Sequence, residues 1–263
     1  MSSGLKFDKQ TAERLIAVYV TPDVVAQRQQ IIEILHPQVG ERLLDVGSGP
    51  GFLASAIGEA VGASGEVCGV DISEPLLAIA AAHCAGQPWV NFRRGDATKL
   101  PFPENHFDAA VVTQVLEYVG DVPAALSELH RVLRPGGRVL VLDTDWDSIV
   151  WHTTNRERMN RVLAAWDEHL IDPYLPRTLA LKLREAGFRV EAPQVVPLLN
   201  PVFDPETYSN RMIDIIAPFV SGRRGIVPEE AQAWAQELRE LGERGSYFFS
   251  LNRYLFSGRK LAR

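Results

Sequence analysis

The chain has 263 residues, 46% of them hydrophobic and 23% charged, and its formal net charge at pH 7 is −6. This composition is typical of a globular protein with a sizeable core, and the negative charge disfavours a nucleic-acid-binding surface. The apolar runs are too short to span a membrane, the N-terminal residues lack the apolar segment of an export signal, and two cysteines are too few for a disulfide framework. We therefore expect a cytoplasmic protein with no membrane span and no nucleic-acid partner, and no residue pattern indicates a metal site.

The first half of the chain is predicted to alternate strands with helices. Helices over 9–20 and 22–35 come first, because Thr21 is a good N-cap and Pro22 suits the first helical position. Five short apolar segments then alternate with helical segments. These predicted strands are 42–46, 66–70, 89–93, 107–112 and 138–142. Strands that are apolar almost throughout are buried on both faces, which is typical of a parallel, doubly wound α/β sheet.

The second half is predicted to be mostly helical. Helices are expected over 153–170, 178–186, 205–219 and 228–241, and extended segments over 189–199 and 246–257. We expect helices in residues 1–36 to cover a ligand site, residues 37–145 to form the core domain and residues 146–245 to form a helical cap. A core helix and strand at about 178–199 interrupt this cap, and residues 246–263 return to the core as a C-terminal edge strand.

Acidic residues and a glycine-rich loop follow the predicted strands. The loop Gly47-Ser48-Gly49-Pro50-Gly51 comes directly after the first strand, where glycines allow a sharp turn and the close approach of a ligand. The residues at the ends of successive strands are Asp45, Asp71, Asp96, Thr113 and Asp143. In a doubly wound sheet these ends meet at one rim, where ligands bind.

The spacing within this rim narrows the choice of ligand. The third glycine comes one residue too early for the Gly-x-Gly-x-x-Gly pattern of dinucleotide sites. Asp71, at the end of the second strand, is placed to accept hydrogen bonds from both ribose hydroxyls of a nucleoside. NAD and S-adenosylmethionine both contain such a ribose, so Asp71 alone does not distinguish them.

Five segments around the rim carry a resemblance to a known family. They are Leu43–Gly51, Gly69–Ser73, Gly95–Ala97 with Leu100–Phe102, Phe107–Asp108 and Arg131–Gly137. With these segments in this order over residues 22–143, the chain resembles the class I S-adenosylmethionine-dependent methyltransferases, especially the small-molecule branch that includes ubiquinone/menaquinone and arsenite methyltransferases. The resemblance implies a Rossmann-like, mostly parallel sheet of seven strands with an antiparallel last strand, here with the helical cap inserted.

The resemblance also implies how the cofactor would bind. The residues that would hold the amino and carboxylate groups of its methionine part are Asp45, Gly47, Ser48, Gly49 and Gly51. Asp71 would bind the ribose, and Ile72 would pack on the adenine. A carboxylate suits both an ammonium group and paired hydroxyls, which agrees with these roles. The product left after methyl transfer would be S-adenosylhomocysteine.

Four further residues are expected at the cofactor. By the same resemblance, Asp96 with Ala97 would read the adenine amino group. Thr113, at the end of the fourth strand, should lie near the methyl group, where backbone carbonyls can meet its polarised hydrogens. Arg28, on the helix before the first strand, would either pair with the cofactor carboxylate or form a surface salt bridge.

The expected reaction is in-line displacement of the methyl group by a nucleophile of the acceptor. It needs alignment at about 3 Å and exclusion of water more than a set of catalytic side chains. The candidate catalytic residues are Asp145, His152 and Tyr118. Asp145 follows the fifth strand, and His152 is either a base or a structural residue beside Trp151. The segment Leu116-Glu117-Tyr118 stands where the quinone branch often has histidines, so the chain differs from that branch on the acceptor side.

The cap is expected to select the acceptor. A cap that closes over a deep site favours a small, partly apolar molecule with an O, N or C nucleophile. Cap aromatics such as Trp166 and Phe219 either line this pocket or form the core of the cap. His169, near a helix end, is interpreted as a partner of the helix dipole. The expected partner is thus a small-molecule methyl acceptor, and the sequence leaves a homodimer open.

Other functions are compatible with parts of this pattern. An enzyme of the same fold could use the charge of S-adenosylmethionine for a cyclisation or rearrangement instead of methyl transfer. A non-catalytic binding partner is disfavoured, because it would have no need of a complete set of cofactor residues. An NAD-dependent reductase is disfavoured by the glycine spacing and by the set Gly95-Asp96-Ala97.

Overall fold

The computed structural model describes residues 9–261. The strands are β1 Arg42–Val46, β2 Glu66–Asp71, β3 Val90–Arg94, β4 Phe107–Thr113, β5 Leu133–Thr144, β6 Val150–Trp151, β7 Phe188–Val190, β8 Gln194–Asn200 and β9 Phe249–Lys260. The α-helices are α1 Lys9–Tyr19, α2 Pro22–Leu35, α3 Phe52–Val61, α4 Glu74–His83, α5 Val122–Val132, α6 Arg156–Trp166, α7 Pro176–Glu185, α8 Tyr208–Val220 and α9 Pro228–Glu243. Short 3-10 turns occur at Leu116–Tyr118, Trp146–Ser148 and Asp167–His169.

These elements form two compact units, each made of separate stretches of the chain. The sheet unit contains Gln27–Thr144, Tyr174–Val196 and the residues from Arg253 onward. The helical unit contains the residues up to Ala26, Asp145–Pro173 and Pro197–Asn252. The idea that helices outside the core cover a bound ligand stays a prediction.

The sheet unit has the doubly wound topology that the sequence predicts. Strands β3, β2, β1, β4 and β5 lie side by side in this order and are parallel. Strand β9 is antiparallel to β5, with Arg259 opposite Arg138 at one end and Arg253 opposite Thr144 at the other. β7 and β8 also pair with β9. The strand order reverses between β1 and β4, so their carboxyl ends flank the crevice where ligands bind in such sheets.

Burial of apolar residues on both faces explains why these segments form inner strands. Every residue of β4 from Phe107 to Val112 is buried. Helices α2 and α3 contribute Ile31 and Ile57 to the apolar layer on one face. Helices α5 and α7 contribute Leu129 and Leu179 to another apolar layer. Burial of this kind is the main stabilising contribution to the sheet, because each fully buried aliphatic side chain contributes about 1.5–3 kcal/mol.

The helical unit is stabilised by a buried ionic contact as well as by apolar packing. Glu237 of α9 accepts hydrogen bonds from the Thr153 hydroxyl at 2.8 Å and from the Thr154 backbone N–H at 2.6 Å, and it pairs with Arg158 at 2.6 Å. Burial raises the pKa of Glu237, but Arg158 and the threonines outweigh it and hold that pKa at about 2. These contacts join the start of α6 to the middle of α9.

Several boundaries differ from the sequence-based prediction. The last strand, β9, is not an edge strand, because it lies between β5 and β7. The expected extended segment 189–199 is divided into β7 and β8, and the two-residue strand β6 was not predicted, so the described residues contain nine strands rather than seven. The predicted helix 153–170 ends as an α-helix at Trp166 and continues as a 3-10 turn.

Candidate functional site

The glycine loop between β1 and α3 folds back onto β2. Gly47, Gly49 and Gly51 have φ angles of +70°, +50° and +82°, which residues with a Cβ atom rarely adopt. The backbone N–H groups of Gly47 and Ser48 donate to the Val70 carbonyl oxygen at 2.7 and 3.0 Å. The alternating glycines of the sequence therefore specify this loop conformation.

The three glycines differ in how much room their surroundings leave for a Cβ atom. A Cβ atom at Gly47 would lie 2.1 Å from Val115 Cγ2, and one at Gly51 would lie 2.9 Å from Ala80 Cβ. A Cβ atom at Gly49 would meet nothing within 4 Å. Gly47 and Gly51 are thus required for packing, whereas Gly49 borders open space from which a ligand can reach the backbone.

Asp45 lies buried at the carboxyl end of β1 and is 1% exposed. Neither of its carboxylate oxygens has a hydrogen-bond partner of normal geometry in the described structure, and neither does the hydroxyl oxygen of Ser48. Burial, followed by the charge of Asp71, raises the pKa of Asp45 to about 7, although the Ala54 backbone N–H lowers it. A buried carboxylate without donors is costly, and a ligand ammonium group would supply both the donors and the opposite charge.

Asp71 connects the end of β2 with the glycine loop. Its Oδ2 atom accepts a hydrogen bond from the Gly49 backbone N–H at 2.9 Å, and its Oδ1 atom accepts one from the Ser73 backbone N–H at 2.8 Å. The next residue, Ile72, is 62% exposed although its side chain is large and apolar. Each carboxylate oxygen has a second lone pair, so Asp71 can still accept hydrogen bonds from a ribose while Ile72 covers an adenine face.

Asp96 lies just beyond β3, in an exposed turn. Its Oδ1 atom accepts hydrogen bonds from the Thr98 hydroxyl at 2.7 Å and from the Thr98 backbone N–H at 2.8 Å. These hydrogen bonds lower the pKa of Asp96. Ala97 beside it is half-buried and packs against the apolar core of the sheet unit. Asp96 is therefore an ionised acceptor that can receive a hydrogen bond from an exocyclic amine.

Arg28 and Thr113 also lie in the sheet unit. The Arg28 guanidinium carbon is 5.2 Å from the ring centroid of Phe52, the first residue of α3, so Arg28 lies beside the end of the glycine loop. Burial lowers the pKa of Arg28. The choice between the cofactor role and a salt bridge stays a prediction. Thr113 is the half-buried last residue of β4.

Residues at the ends of β4 and β5 form a cluster that the sequence indicated only in part. Gln114 has a φ angle of +56° although it is not glycine. The backbone N–H of Val115 donates to Asp143 Oδ1 at 3.1 Å, and the Thr144 hydroxyl donates to Gln114 Oε1 at 2.6 Å. The sequence places Asp143 at the rim but carries no signal for the conformation of Gln114.

Asp143 and Glu117 are two buried acids next to one buried arginine. Asp143 is 0% and Glu117 is 1% exposed. Burial, and then the charge of Glu117, raises the pKa of Asp143 well above its usual range, while backbone N–H groups and the charge of Arg253 lower it. Arg253, from β9, donates to Gln27 Oε1 at 2.5 Å. Sequence analysis missed Arg253, because an edge strand would not place it beside β5.

The three candidate catalytic residues are divided between the two units: Tyr118 lies in the sheet unit, and Asp145 and His152 lie in the helical unit. Tyr118, in the sheet unit, donates its backbone N–H to the Val115 carbonyl oxygen at 3.0 Å. Asp145, in the helical unit, is buried, and its Oδ1 atom accepts the Asp147 backbone N–H at 3.2 Å at the start of a 3-10 turn. His152 is exposed, and its backbone N–H donates to the Phe248 carbonyl oxygen at 2.9 Å. Their catalytic roles stay predictions.

The aromatic residues of the helical unit pack mainly on one another. The ring centroids of Trp166 and His169 are 3.8 Å apart in a stacked arrangement, and Phe219 contacts Trp166 edge-on at 5.1 Å. Burial lowers the pKa of His169 to about 3, although its hydrogen bond with the Trp166 carbonyl opposes this. His169 is therefore neutral at pH 7, and its predicted role as a charged partner of a helix dipole is wrong.

Within residues 9–261, every helix is too short or too polar to cross a membrane.

Comparisons with known proteins assign a domain to the sheet unit. Residues 44–141 match the family model described as Methyltransferase domain. The chain is 44% identical over 107 residues to 2-phytyl-1,4-naphtoquinone methyltransferase of Synechococcus elongatus, covering 40% of this chain and 46% of that protein. It is 35% identical over 175 residues to an uncharacterized 37.1 kDa protein in transposon TN4556 of Streptomyces fradiae. This alignment covers 65% of this chain and 49% of that protein. The chain thus spans about half the length of the curated relatives it matches.

A solved structure has the same fold. It is phosphoethanolamine N-methyltransferase 2 of Haemonchus contortus in complex with S-adenosyl-L-methionine, with a TM-score of 0.62 and 18% identity, covering 97% of this chain and 58% of that one. Likeness at this identity shows the fold alone. The matched methyltransferase domain supports S-adenosylmethionine as the cofactor. The donor-free carboxylate of Asp45 and the exposed Ile72 fit its ammonium group and its adenine.

Proposed function

Because the chain belongs to the class I S-adenosylmethionine-dependent methyltransferases, we propose that it transfers a methyl group to a small, partly apolar molecule. The acceptor atom is an O, N or C nucleophile, and S-adenosylhomocysteine is the second product. The observation that carries this proposal is Asp45, a buried carboxylate whose oxygens have no hydrogen-bond partner of normal geometry in the described structure and which lies just before the glycine loop. A carboxylate in this position is balanced when the ammonium group of the cofactor binds.

The cofactor residues divide by the part of the ligand that each would hold. Asp45, Arg28 and the loop residues Gly47, Ser48, Gly49 and Gly51 would hold the charged amino-acid end, where opposite charges are needed and where glycines without a Cβ atom allow close approach. The residues for the remaining parts are Asp71 at the ribose, Ile72, Asp96 and Ala97 at the adenine, and Thr113 near the methyl group. The assignment is supported by the fold, because Asp45, Asp71, Asp96 and Thr113 lie at or just beyond the carboxyl ends of the parallel strands β1 to β4, the edge where such sheets bind ligands.

The protein contributes mainly alignment to the proposed reaction. When bound, the cofactor would supply an electrophilic sulfonium methyl group for transfer to the acceptor nucleophile. The residues at the ends of β4 and β5 hold the acceptor in line and exclude water. An acceptor that must lose a proton also needs a base, for which Asp145, His152 and Tyr118 are the candidates.

The quinone substrate named for the relatives is not proposed as the methyl acceptor of this chain. The quinone methyltransferase aligns over 107 residues only, which is 40% of this chain. On the acceptor side, Leu116-Glu117-Tyr118 replaces the histidines expected in a quinone methyltransferase.

We also propose that the protein acts in the cytoplasm, because both cysteines are unpaired and buried, as is usual in a reducing compartment.

Product formation with a panel of acceptors tests the function. The protein is incubated with S-adenosylmethionine and separate phenol, quinol, amine and carboxylic acid acceptors, and S-adenosylhomocysteine is quantified. We expect stoichiometric methylated product with at least one class, and none with the variant Asp45→Asn. Cofactor binding with conversion of an acceptor but no S-adenosylhomocysteine would favour a cyclisation or rearrangement. Failure to bind the cofactor would favour a non-catalytic protein.

Single substitutions then identify the base. Tyr118→Phe, Asp145→Asn and His152→Gln are compared for kcat and for binding of S-adenosylhomocysteine. Loss of a general base lowers kcat by about 10²–10⁴-fold and leaves cofactor affinity unchanged. A variant with normal kcat removes its residue from the list of candidates.

A further inference from the structure

Three hydrogen bonds fasten the segment after β4 to the end of β5. The Gln114 backbone N–H donates to the Leu142 carbonyl oxygen at 2.7 Å. The Val115 backbone N–H donates to Asp143 Oδ1 at 3.1 Å, and the Thr144 hydroxyl donates to Gln114 Oε1 at 2.6 Å. We call these five residues the β4–β5 latch. Three consecutive residues of β5 thus hold two consecutive residues after β4.

The latch maintains a backbone conformation that is unfavourable by itself. Gln114 has a φ angle of +56°, in the left-handed region that residues with a Cβ atom rarely adopt. Such residues persist when the surrounding structure holds them in place. The turn at Gln114 directs the chain from β4 so that Val115 follows at the rim of the sheet. The position of Val115 therefore depends on the latch.

The Val115 side chain packs directly against Gly47 of the glycine loop, and we call it the wall of this loop. A Cβ atom added at Gly47 would lie 2.1 Å from Val115 Cγ2 and 3.1 Å from Val115 Cγ1. The Val115 side chain therefore occupies the space in which any other residue at position 47 would place its side chain. Because packed contacts of this kind are nearly incompressible, displacement of Val115 would displace Gly47 or leave a gap beside it.

Asp143 has the surroundings of a fixed residue. Its side chain is completely buried, and Arg253 and backbone N–H groups face it along with Glu117. Arg253 is itself held by Gln27 of α2. The side chain of Asp143 is therefore restrained on several sides, so its hydrogen bond to Val115 N–H fixes a backbone position and does not merely follow it.

We propose that Asp143 is a positioning residue for the cofactor, because its hydrogen bond to Val115 fixes the wall that keeps the Gly47 loop in its ligand-binding conformation. Asp143 acts through Val115 and need not touch the cofactor. The inference rests on the proposed function for the identity of the ligand. It assigns to the end of β5 a role in cofactor affinity, in addition to any role on the acceptor side.

Calorimetric binding of S-adenosylhomocysteine to the full chain tests the proposal without an acceptor. Asp143→Leu keeps the shape of the side chain but removes the acceptor, and we expect its Kd to rise at least 10-fold. Asp143→Asn keeps an oxygen for Val115 N–H, and we expect its Kd to stay within about 3-fold of wild type. A Kd for Asp143→Leu equal to that of wild type would overturn the proposal.

A control exists at the opposite end of β4. Asp108, near the start of β4, accepts the Arg42 backbone N–H at 2.7 Å, pairs with Arg134 and is also buried. Asp108→Leu removes the backbone contact and the ion pair together, so we expect a fall in Tm at least as large as that of Asp143→Leu with an unchanged Kd. A rise in Kd equal to that of Asp143→Leu would mean that any loss of stability weakens binding, and the proposal would be rejected.

Val115→Ala provides a second route if Asp143→Leu does not fold. It removes the two methyl groups that face Gly47 and leaves the hydrogen bond to Asp143 in place, so we expect a several-fold rise in Kd. An unchanged Kd for Val115→Ala contradicts the proposed wall. Absence of S-adenosylhomocysteine binding by wild type would reject the proposed function together with this inference, whereas equal binding by wild type and all variants would reject the inference alone.

Discussion

The Gly49 backbone N–H donates a hydrogen bond to Asp71 Oδ2 at 2.9 Å, so the acid at the end of β2 holds the glycine loop that follows β1. The same acid is the one expected to bind the ribose. Its two oxygens provide about four acceptor positions, and two of these are used by the backbone N–H groups of Gly49 and Ser73. Asp71 can therefore couple the conformation of the loop to the presence of the nucleoside.

Removal of a ribose hydroxyl should weaken binding only when Asp71 is present. In wild type, 2′-deoxy-S-adenosylhomocysteine should bind about 10-fold more weakly than S-adenosylhomocysteine, because a hydrogen bond to a charged group contributes about 1.5–3 kcal/mol. In Asp71→Ala the two ligands should bind about equally, and both weakly. Calorimetry with both ligands measures the coupling.

Asp96→Ala is the control for this coupling. Asp96 is assigned to the adenine, so its variant should weaken both ligands alike and retain the discrimination between them. Loss of discrimination in Asp96→Ala, or its retention in Asp71→Ala, would contradict the assignment of the ribose to Asp71.

Cofactor affinity should depend on pH through Asp45. Burial and the charge of Asp71 raise the pKa of Asp45 to about 7 in the unliganded protein, so below that pH its carboxyl group is mostly protonated. An ammonium ligand favours the ionised form, and the proton must leave before or during binding. The Kd of S-adenosylhomocysteine should therefore be about 10-fold higher at pH 6 than at pH 8.

Two variants separate Asp45 from other sources of pH dependence. Asp45→Asn should bind S-adenosylhomocysteine more weakly. Its Kd should also lack the part of the pH dependence that comes from the Asp45 carboxyl group. Asp71→Asn removes a neighbouring negative charge, so it should move the midpoint of the pH dependence to lower pH. An unaltered pH dependence in Asp45→Asn would show that another group titrates.

The contact between Gly47 and Val115 should appear as coupling in unfolding measurements. Gly47→Ala introduces a Cβ atom 2.1 Å from Val115 Cγ2 at a φ angle of +70° and should reduce the free energy of unfolding by about 3 kcal/mol. Val115→Ala leaves only its own Cβ near this position, at 3.2 Å. In the double variant, part of the loss should therefore be recovered, with a coupling free energy above about 1 kcal/mol in urea unfolding.

Gly49→Ala is the matched control for steric crowding. Its φ angle is also in the left-handed region, but its Cβ atom would meet nothing within 4 Å, so the expected loss is only about 1–2 kcal/mol. Additive losses in Gly47→Ala with Val115→Ala would contradict direct contact between these residues.

The cofactor half of the site could be predicted because its signals are local in sequence. Glycines at alternate positions specify a turn, and Asp45 and Asp71 directly end apolar strands, so the parallel sheet places them on one rim. Gln114 has no such signal, because its left-handed backbone is held by a hydrogen bond from its N–H to the Leu142 carbonyl and by one that it accepts from the Thr144 hydroxyl, about thirty residues further along the chain.

The error at the last strand explains why Arg253 was missed. Its Tyr and Phe residues made an edge position the simplest interpretation of the last strand. The structure instead pairs β9 with β5, which brings Arg253 opposite Thr144 and beside the two buried acids. Strand order depends on contacts between distant segments, so an arginine in a terminal strand cannot be assigned to the rim before that order is known.

Stability of the helical unit at acid pH should depend on His169. Burial lowers the pKa of His169 to about 3, below its value of about 6.5 in the unfolded chain. The unfolded chain therefore binds a proton below pH 6.5 that the folded protein does not bind until about pH 3. As pH falls from 6.5 to 5, this difference should reduce the free energy of unfolding by about 1.5 kcal/mol.

Urea unfolding of wild type and His169→Phe at pH 7, 6.5 and 5 measures this contribution. The phenylalanine keeps the stacking on Trp166 and cannot be protonated, so the variant should lose about 1.5 kcal/mol less than wild type between pH 6.5 and 5, whatever its stability at pH 7. Parallel pH dependences in wild type and His169→Phe would mean that His169 is protonated in the folded protein, which would require the stacked pair to open and admit water.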